Sequence, residues 1–132
     1  IGGGTTSIAI YRERYPEALF VLPLGGNNIT RDLTKLPIRL LESDAERLKV
    51  DQGSMDLSVS RTASIDTTPS AGGAVKRFSQ LEVNRFISFR VLEILNNVVQ
   101  IIREAGYEDA LAKGFIFAGG VTKTKHFYES FW

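Results

Sequence analysis

The chain has 132 residues, 43% of them hydrophobic and 23% charged, an ordinary balance that excludes a disordered chain and suits one domain or two small subdomains. Sixteen Lys and Arg stand against 15 Asp and Glu, a net charge of +1, so nothing electrostatic points to nucleic acid or an anionic membrane as the main partner. Cysteine is absent, which excludes disulfides and thiolate metal sites, and no apolar run approaches the roughly 20 residues of a membrane span.

The first element is a strand over Thr6 to Arg12, where β-branched and aromatic residues alternate with polar ones. Glu13 to Pro16 is a polar break of hairpin-turn length. Ala18 to Leu24 is a continuous apolar run that reads as a buried strand, with Pro23 marking an edge or bulge. Gly25-Gly26-Asn27-Asn28 ends it and caps a short helix over Ile29 to Leu36, which Pro37 stops. Ser43 and Glu46 have the spacing of a capping box, and Gly53 is a stop for the helix they would start. Residues 55–78 are rich in Ser, Thr, Gly and β-branched types and predict short strands, with 68–73 as a hairpin tip. A second capping box, Ser79 and Glu82, opens the strongest helix signal. Ile87, Val91, Ile94, Leu95, Val98 and Ile102 recur at helical spacing up to Gly106. Phe115 to Ala118 predicts a short buried strand, and 121–132 a loop and part of a helix. A base subdomain of 1–40 and 80–132, with an outer subdomain of 41–79 inserted, is the simplest division.

Glycines gather at three strand ends: Gly2-Gly3-Gly4, Gly25-Gly26 and Gly119-Gly120. Each cluster is either a tight turn or a place where backbone N–H groups approach an anion. Neither GxxxxGK[ST] nor GxGxxG occurs. His126 is the single histidine, and with no cysteine or carboxylate pair beside it, its expected role is structural or at the surface. No acid/base pair or nucleophile motif stands out, so no catalytic residue and no metal ligand is assigned.

These motifs carry a resemblance. Ile1-Gly2-Gly3-Gly4-Thr5-Thr6-Ser7-Ile8-Ala9 resembles the second phosphate motif of the actin, heat-shock chaperone and sugar-kinase superfamily. Phe117-Ala118-Gly119-Gly120-Val121 is similar to its adenosine motif. Ala45-Glu46-Arg47-Leu48-Lys49 looks like the helix whose Glu and Lys reach ribose and base. Pro23-Leu24-Gly25-Gly26-Asn27-Asn28-Ile29-Thr30 narrows the likeness to the FtsA family of bacterial cell-division proteins.

The resemblance implies an α/β fold, the second lobe of the actin and ribonuclease-H-like architecture: a mixed sheet flanked by helices, with a small α+β insert. It implies that Gly2, Gly3, Gly4, Thr5, Thr6, Glu46, Lys49, Gly119, Gly120 and Val121 bind nucleotide. The cofactor would be ATP with Mg2+ in a longer parent, of which this chain is read as a piece holding no nucleotide tightly alone. ATPase activity would be weak at most. The implied function is a polymerising scaffold at the inner face of the cell membrane at the division site, tethering the tubulin-like protein FtsZ. Membrane contact would come through a segment outside this chain. Lys76, Arg77, Arg85 and Arg90 gather around the start of the long helix and are the expected contacts for the FtsZ C-terminal tail. Arg85 and Arg90 diverge by about 140° on a helix, so Arg77 and Arg85 are the leading pair, with Arg90 serving the helix's own carboxylates. Two alternatives stand beside this reading. One is a partner-binding module without a working nucleotide site; the other is a type IV pilus inner-membrane platform of the same superfamily.

Overall fold

The computed structural model describes residues 1–35 and 37–131. It opens with a hairpin, β1 (Thr6–Arg12) and β2 (Tyr15–Leu22), followed by α1 (Gly26–Asp32) and α2 (Glu42–Gln52). A second hairpin, β3 (Ser64–Thr67) and β4 (Lys76–Ser79), leads directly into the long helix α3 (Gln80–Glu104). A one-turn helix α4 (Glu108–Leu111) and two 3-10 turns, Gly120–Lys123 and Tyr128–Phe131, complete the chain. Both hairpins are two-stranded antiparallel ladders.

The first strand alternates as its sequence predicts, whereas β2 is not the buried strand its apolar run suggests: Leu19 and Val21 are largely exposed on the outer face of the hairpin. In β1, Thr6, Ile8 and Ile10 are buried on one face while Ser7, Ala9 and Tyr11 face outward. The hairpin turn is tight: Glu13 and Arg14 have φ of 49° and 74°, the left-handed pair of a type I′ turn. Glycine and asparagine are the usual residues there.

α3 organises the core because its apolar stripe is longer than either neighbour. Its N-terminal half gives Val83, Ile87, Val91 and Leu95 to a cluster with Ile29, Leu33, Leu48, Met55, Ile65, Val121 and Phe127. Its C-terminal half gives Val98 and Ile102 to a second cluster with Ile8 and Ile10 of the first hairpin. At its start the Ser79 hydroxyl accepts from the Glu82 backbone N–H at 3.3 Å, so the N-cap half of the expected capping box forms. Gly106, with φ of 84°, closes the other end.

Three further expectations are corrected. α2 begins one residue before Ser43, with Leu41 as a cap that makes no side-chain bond, so the Ser43–Glu46 capping box does not form. Glu46 turns instead toward Thr30 and Lys49. Asp44, buried in the first turn, accepts from the Ser70 N–H and from Arg47. Second, the expected helix over Ile29 to Leu36 starts earlier and ends at Asp32; Leu36 lies outside the described residues. Third, Phe115 to Ala118 forms no ladder, and Ile116 is fully exposed. A cleft of about 820 Å³, lined by Ile8, Ile10, Val98, Ile102 and Phe117, lies between this stretch and β1.

The segment 41–79 holds α2, β3 and β4, and its buried Ala45, Leu48, Met55 and Ile65 share one core with α1 and α3. Polar staples reinforce that junction. Asn84, fully buried on α3, donates to the Asp56 carbonyl at 2.7 Å and accepts from Gln80 at 2.7 Å. The tail returns through the Met55 N–H, which donates to the Lys125 carbonyl at 2.9 Å. There Phe127 is buried and Tyr128 is half exposed. The Phe131 side chain and Trp132 lie outside the described residues.

Candidate functional site

The three glycine clusters meet. The Gly26 N–H donates to the Gly2 carbonyl and the Asn27 N–H to the Gly3 carbonyl, both at 2.8 Å. Only glycine fits at position 25, where a Cβ would stand 2.5 Å from the Gly2 carbonyl oxygen and 2.6 Å from that of Gly3. On the other side, Gly119 has φ of 104° and its α-carbon faces the Ile1 backbone with no room for a side chain. Its carbonyl accepts from the Thr122 hydroxyl at 2.7 Å, fastening the 3-10 turn that begins at Gly120.

Between these backbones lies a cleft of about 300 Å³, lined by Gly2, Gly3, Gly26, Asn27, Glu46, Lys49, Gly120, Val121, Lys123 and Thr124 among others. Six residues singled out from sequence therefore border one space: Gly2, Gly3, Glu46, Lys49, Gly120 and Val121. Four others stand elsewhere. Thr5, Thr6 and Gly119 line the larger cleft beside β1, and Gly4 is exposed with open space about its α-carbon. The Thr6 hydroxyl is already engaged, donating to the Leu24 carbonyl at 2.8 Å.

Glu46 and Lys49 are neighbours on α2 and form an ion pair at 2.7 Å. The Lys49 ammonium also donates to the Gly26 carbonyl at 3.1 Å and the Thr30 hydroxyl at 2.8 Å. An ammonium has three hydrogens, and these three acceptors account for them. Its charge is thereby neutralised within the wall of the cleft. Partial burial pushes the Glu46 carboxyl up, but hydrogen bonds from Lys49 and Thr30, with the Lys49 charge, outweigh it and hold the pKa below the usual value. Thr30, which sequence reasoning quoted in a motif but did not assign to the site, is thus part of it. The available signal was its spacing of four from Gly26, which puts its hydroxyl on the same helical face as that glycine's carbonyl.

The expected partner residues separate into two groups. Lys76, Arg77 and Arg85 are exposed around the β4–α3 junction. Arg77 pairs with Asp66 across the hairpin at 2.8 Å, with both side chains in solvent. Arg90 turns inward, to Asp32 of α1 and Glu93 of α3. His126 stands 3.9 Å from Asp56 on the surface. Among the described residues no group of three or more His, Cys, Asp or Glu could hold a metal ion, and no helix is long and apolar enough to cross a membrane.

Known structures and sequences agree with this architecture. The crystal structure of MreB 5 of Spiroplasma citri bound to AMPPNP superposes with a TM-score of 0.74 at 20% identity, over 99% of this chain and 43% of that one. The fold is therefore the actin-like α/β fold. The cell division protein FtsA of Porphyromonas gingivalis is 39% identical over 127 residues, which are 96% of this chain and 26% of that protein. Its Bacillus subtilis counterpart is 35% identical over 121 residues, 91% of this chain and 27% of that protein. The chain thus spans about a quarter of the length of these relatives. The family model described as cell division protein FtsA matches residues 1–130. With that match covering nearly every residue, the chain belongs to the FtsA family of cell-division proteins.

Proposed function

We propose that this chain supplies one wall of an ATP site in an actin-like scaffold of bacterial cell division. The observation that carries the reading is the convergence of Gly2, Gly3, Glu46, Lys49, Gly120 and Val121, distant in sequence, on one cleft of about 300 Å³. That volume lies at the small end of ligand sites, as fits a wall that a second lobe completes. The likeness in fold to a protein solved with AMPPNP supports the same ligand class.

Each residue has a definable task. Gly2, Gly3 and Gly120 let a ligand approach the backbone without a Cβ in the way. Val121 offers an apolar contact to the base. Glu46 is half exposed, with Oε2 held by Lys49 and Thr30, and its other oxygen accepts from a sugar hydroxyl. Lys49 fixes Glu46 rather than meeting phosphate, because its hydrogens are committed. ATP brings a triphosphate and its Mg2+, whose remaining contacts lie outside this chain. Any ATPase activity, weak at most, belongs to the full-length protein.

The same reading places the protein in filaments at the inner face of the membrane at the division site, bound to FtsZ. The FtsZ tail docks where the outer subdomain, 41–79, meets the start of α3. Lys76, Arg77 and Arg85 are exposed there, and Phe89, 72% exposed, stands one turn beyond Arg85. Arg90 serves the interior. Calorimetric titration of the intact gene product with ATP and magnesium tests the nucleotide reading. Saturable binding that ADP competes is expected; no heat, and no competition for a fluorescent ATP analogue, would overturn it.

A further inference from the structure

Thr30 is 3% exposed on the inner side of α1. Its hydroxyl oxygen lies 2.5 Å from Glu46 Oε2, 2.8 Å from Lys49 Nζ and 3.3 Å from the Gly26 carbonyl oxygen. A hydroxyl has one hydrogen and two lone pairs, and an ammonium can only donate. Lys49 therefore takes a lone pair of Thr30. The single hydrogen goes to the nearer, charged acceptor, the Glu46 carboxylate. The direction of the ring is thus set: Lys49 donates to Thr30, Thr30 donates to Glu46, and the Lys49–Glu46 ion pair closes it at 2.7 Å.

A Glu and a Lys three residues apart on a helix surface normally form a loose, weakly stabilising pair. Here a different helix intervenes. Thr30 belongs to α1, whose neighbouring Ile29 and Leu33 are fully buried in the core, so its oxygen has a fixed position. Lys49 is tied to α1 a second time through the Gly26 carbonyl. The Glu46–Lys49 pair on α2, with Glu46 half exposed and Lys49 mostly buried, is thereby given one geometry by a buried group on α1.

We infer that Thr30 is a positioning residue: it aims the Glu46 carboxylate into the cleft and so sets how strongly the site distinguishes a ribose from a 2′-deoxyribose. The inference rests on the nucleotide reading above. A carboxylate held by two donors presents its remaining acceptor in one place, and a hydrogen bond to a sugar hydroxyl depends on that placement. Contacts to base and triphosphate do not pass through Thr30. Loosening it weakens the ribonucleotide and leaves the deoxynucleotide almost untouched.

Thr30→Val removes the hydroxyl at constant shape, and Thr30→Ser retains it. Two measurements on the intact gene product decide the matter. The first needs no ligand: with 13C-labelled glutamate, the Glu46 carboxyl titration is followed by NMR. It moves to higher pH in Thr30→Val and returns to the wild-type position in Thr30→Ser. An unchanged titration in Thr30→Val overturns the positioning role whether or not nucleotide binds. The second is the ratio of affinities for ATP and 2′-deoxy-ATP. In Thr30→Val the ratio falls by about three- to tenfold, the loss expected for one hydrogen bond, and Thr30→Ser restores it. Equal weakening of both nucleotides marks a merely structural residue and overturns the inference. If wild type binds neither nucleotide while the Glu46 titration still shifts, the nucleotide reading is refuted and the ribose discrimination with it.

Discussion

Arg90 of α3 grips Asp32 of α1 with two parallel hydrogen bonds, Nε to Oδ2 and Nη2 to Oδ1, each 2.8 Å long. The third guanidinium nitrogen reaches Glu93 at 2.9 Å. The Arg90 and Asp32 side chains are 22% and 14% exposed, so water screens the pair less than a surface bridge. The contact fastens the far end of the helix that carries Gly26 and Thr30. The site's inner wall is thereby fixed to the long helix that spans both core clusters.

Removing Arg90 alone leaves Asp32 with its charge largely out of water. Arg90→Met should lower stability by roughly 3 kcal/mol, the cost of breaking a mostly buried pair on one side. The double variant Arg90→Met/Asp32→Leu should recover most of that loss. Urea unfolding of the four proteins in the cycle gives the coupling directly. Additive losses would show that the fork contributes nothing specific.

The Glu46 carboxyl carries a pH signature. Its pKa is depressed in the folded state, so its contribution is fully present above its unfolded value, near 4.5. The contribution is lost as pH falls through the folded pKa. Thermal melts of wild type and Glu46→Gln should differ at pH 7 and converge toward pH 3. A gap that stays constant across that range would separate the effect from ionisation.

The hairpin turn offers a gain. Glu13 and Arg14 both hold left-handed backbone, which costs a non-glycine residue about 1 kcal/mol or more. Arg14→Gly should raise stability by roughly 0.5–1 kcal/mol, since the relief of strain exceeds the added freedom of the unfolded chain. Chemical denaturation measures it, and a loss of stability would mean that the Arg14 side chain holds the turn.

Legibility from sequence followed how local each determinant is. α3 was plain because a cap, Ser79 with Glu82, and a long apolar stripe agree within one segment. The glycine clusters were plain as turns, and the family resemblance marked them as one site. Ser43 misled because the rival claim on Glu46 comes from Thr30, a residue 16 positions away. Thr30 stayed unassigned for the same reason: its partners exist only once α1 and α2 pack. Phe115 to Ala118 has strand composition, but a ladder needs an edge within reach, and the sequence of one strand says nothing of its neighbour.

The proposed FtsZ-docking surface is tested at Arg85. Arg85 is exposed on α3 and free to meet a tail carboxylate, whereas Arg77 already has Asp66 as a partner. Arg85→Glu should weaken binding of a labelled FtsZ tail peptide by about fivefold or more. Wild-type binding should weaken as salt rises. Fluorescence anisotropy reads both, and equal affinity for wild type and Arg85→Glu would remove this surface from the proposal.

Gly120 gives the most direct test of the nucleotide site. It lines the cleft, and nothing lies within 4 Å of the place where its Cβ would stand. Gly120→Asp therefore suits the fold, yet it sets a carboxylate in the space a nucleotide would fill. Asn96→Asp adds the same charge on the exposed face of α3 and serves as the control. Calorimetric titration with ATP and magnesium should show wild-type affinity for Asn96→Asp and a loss of at least about tenfold for Gly120→Asp. The melting temperature of each should stay close to that of wild type. Undiminished ATP affinity in a folded Gly120→Asp protein would contradict the account.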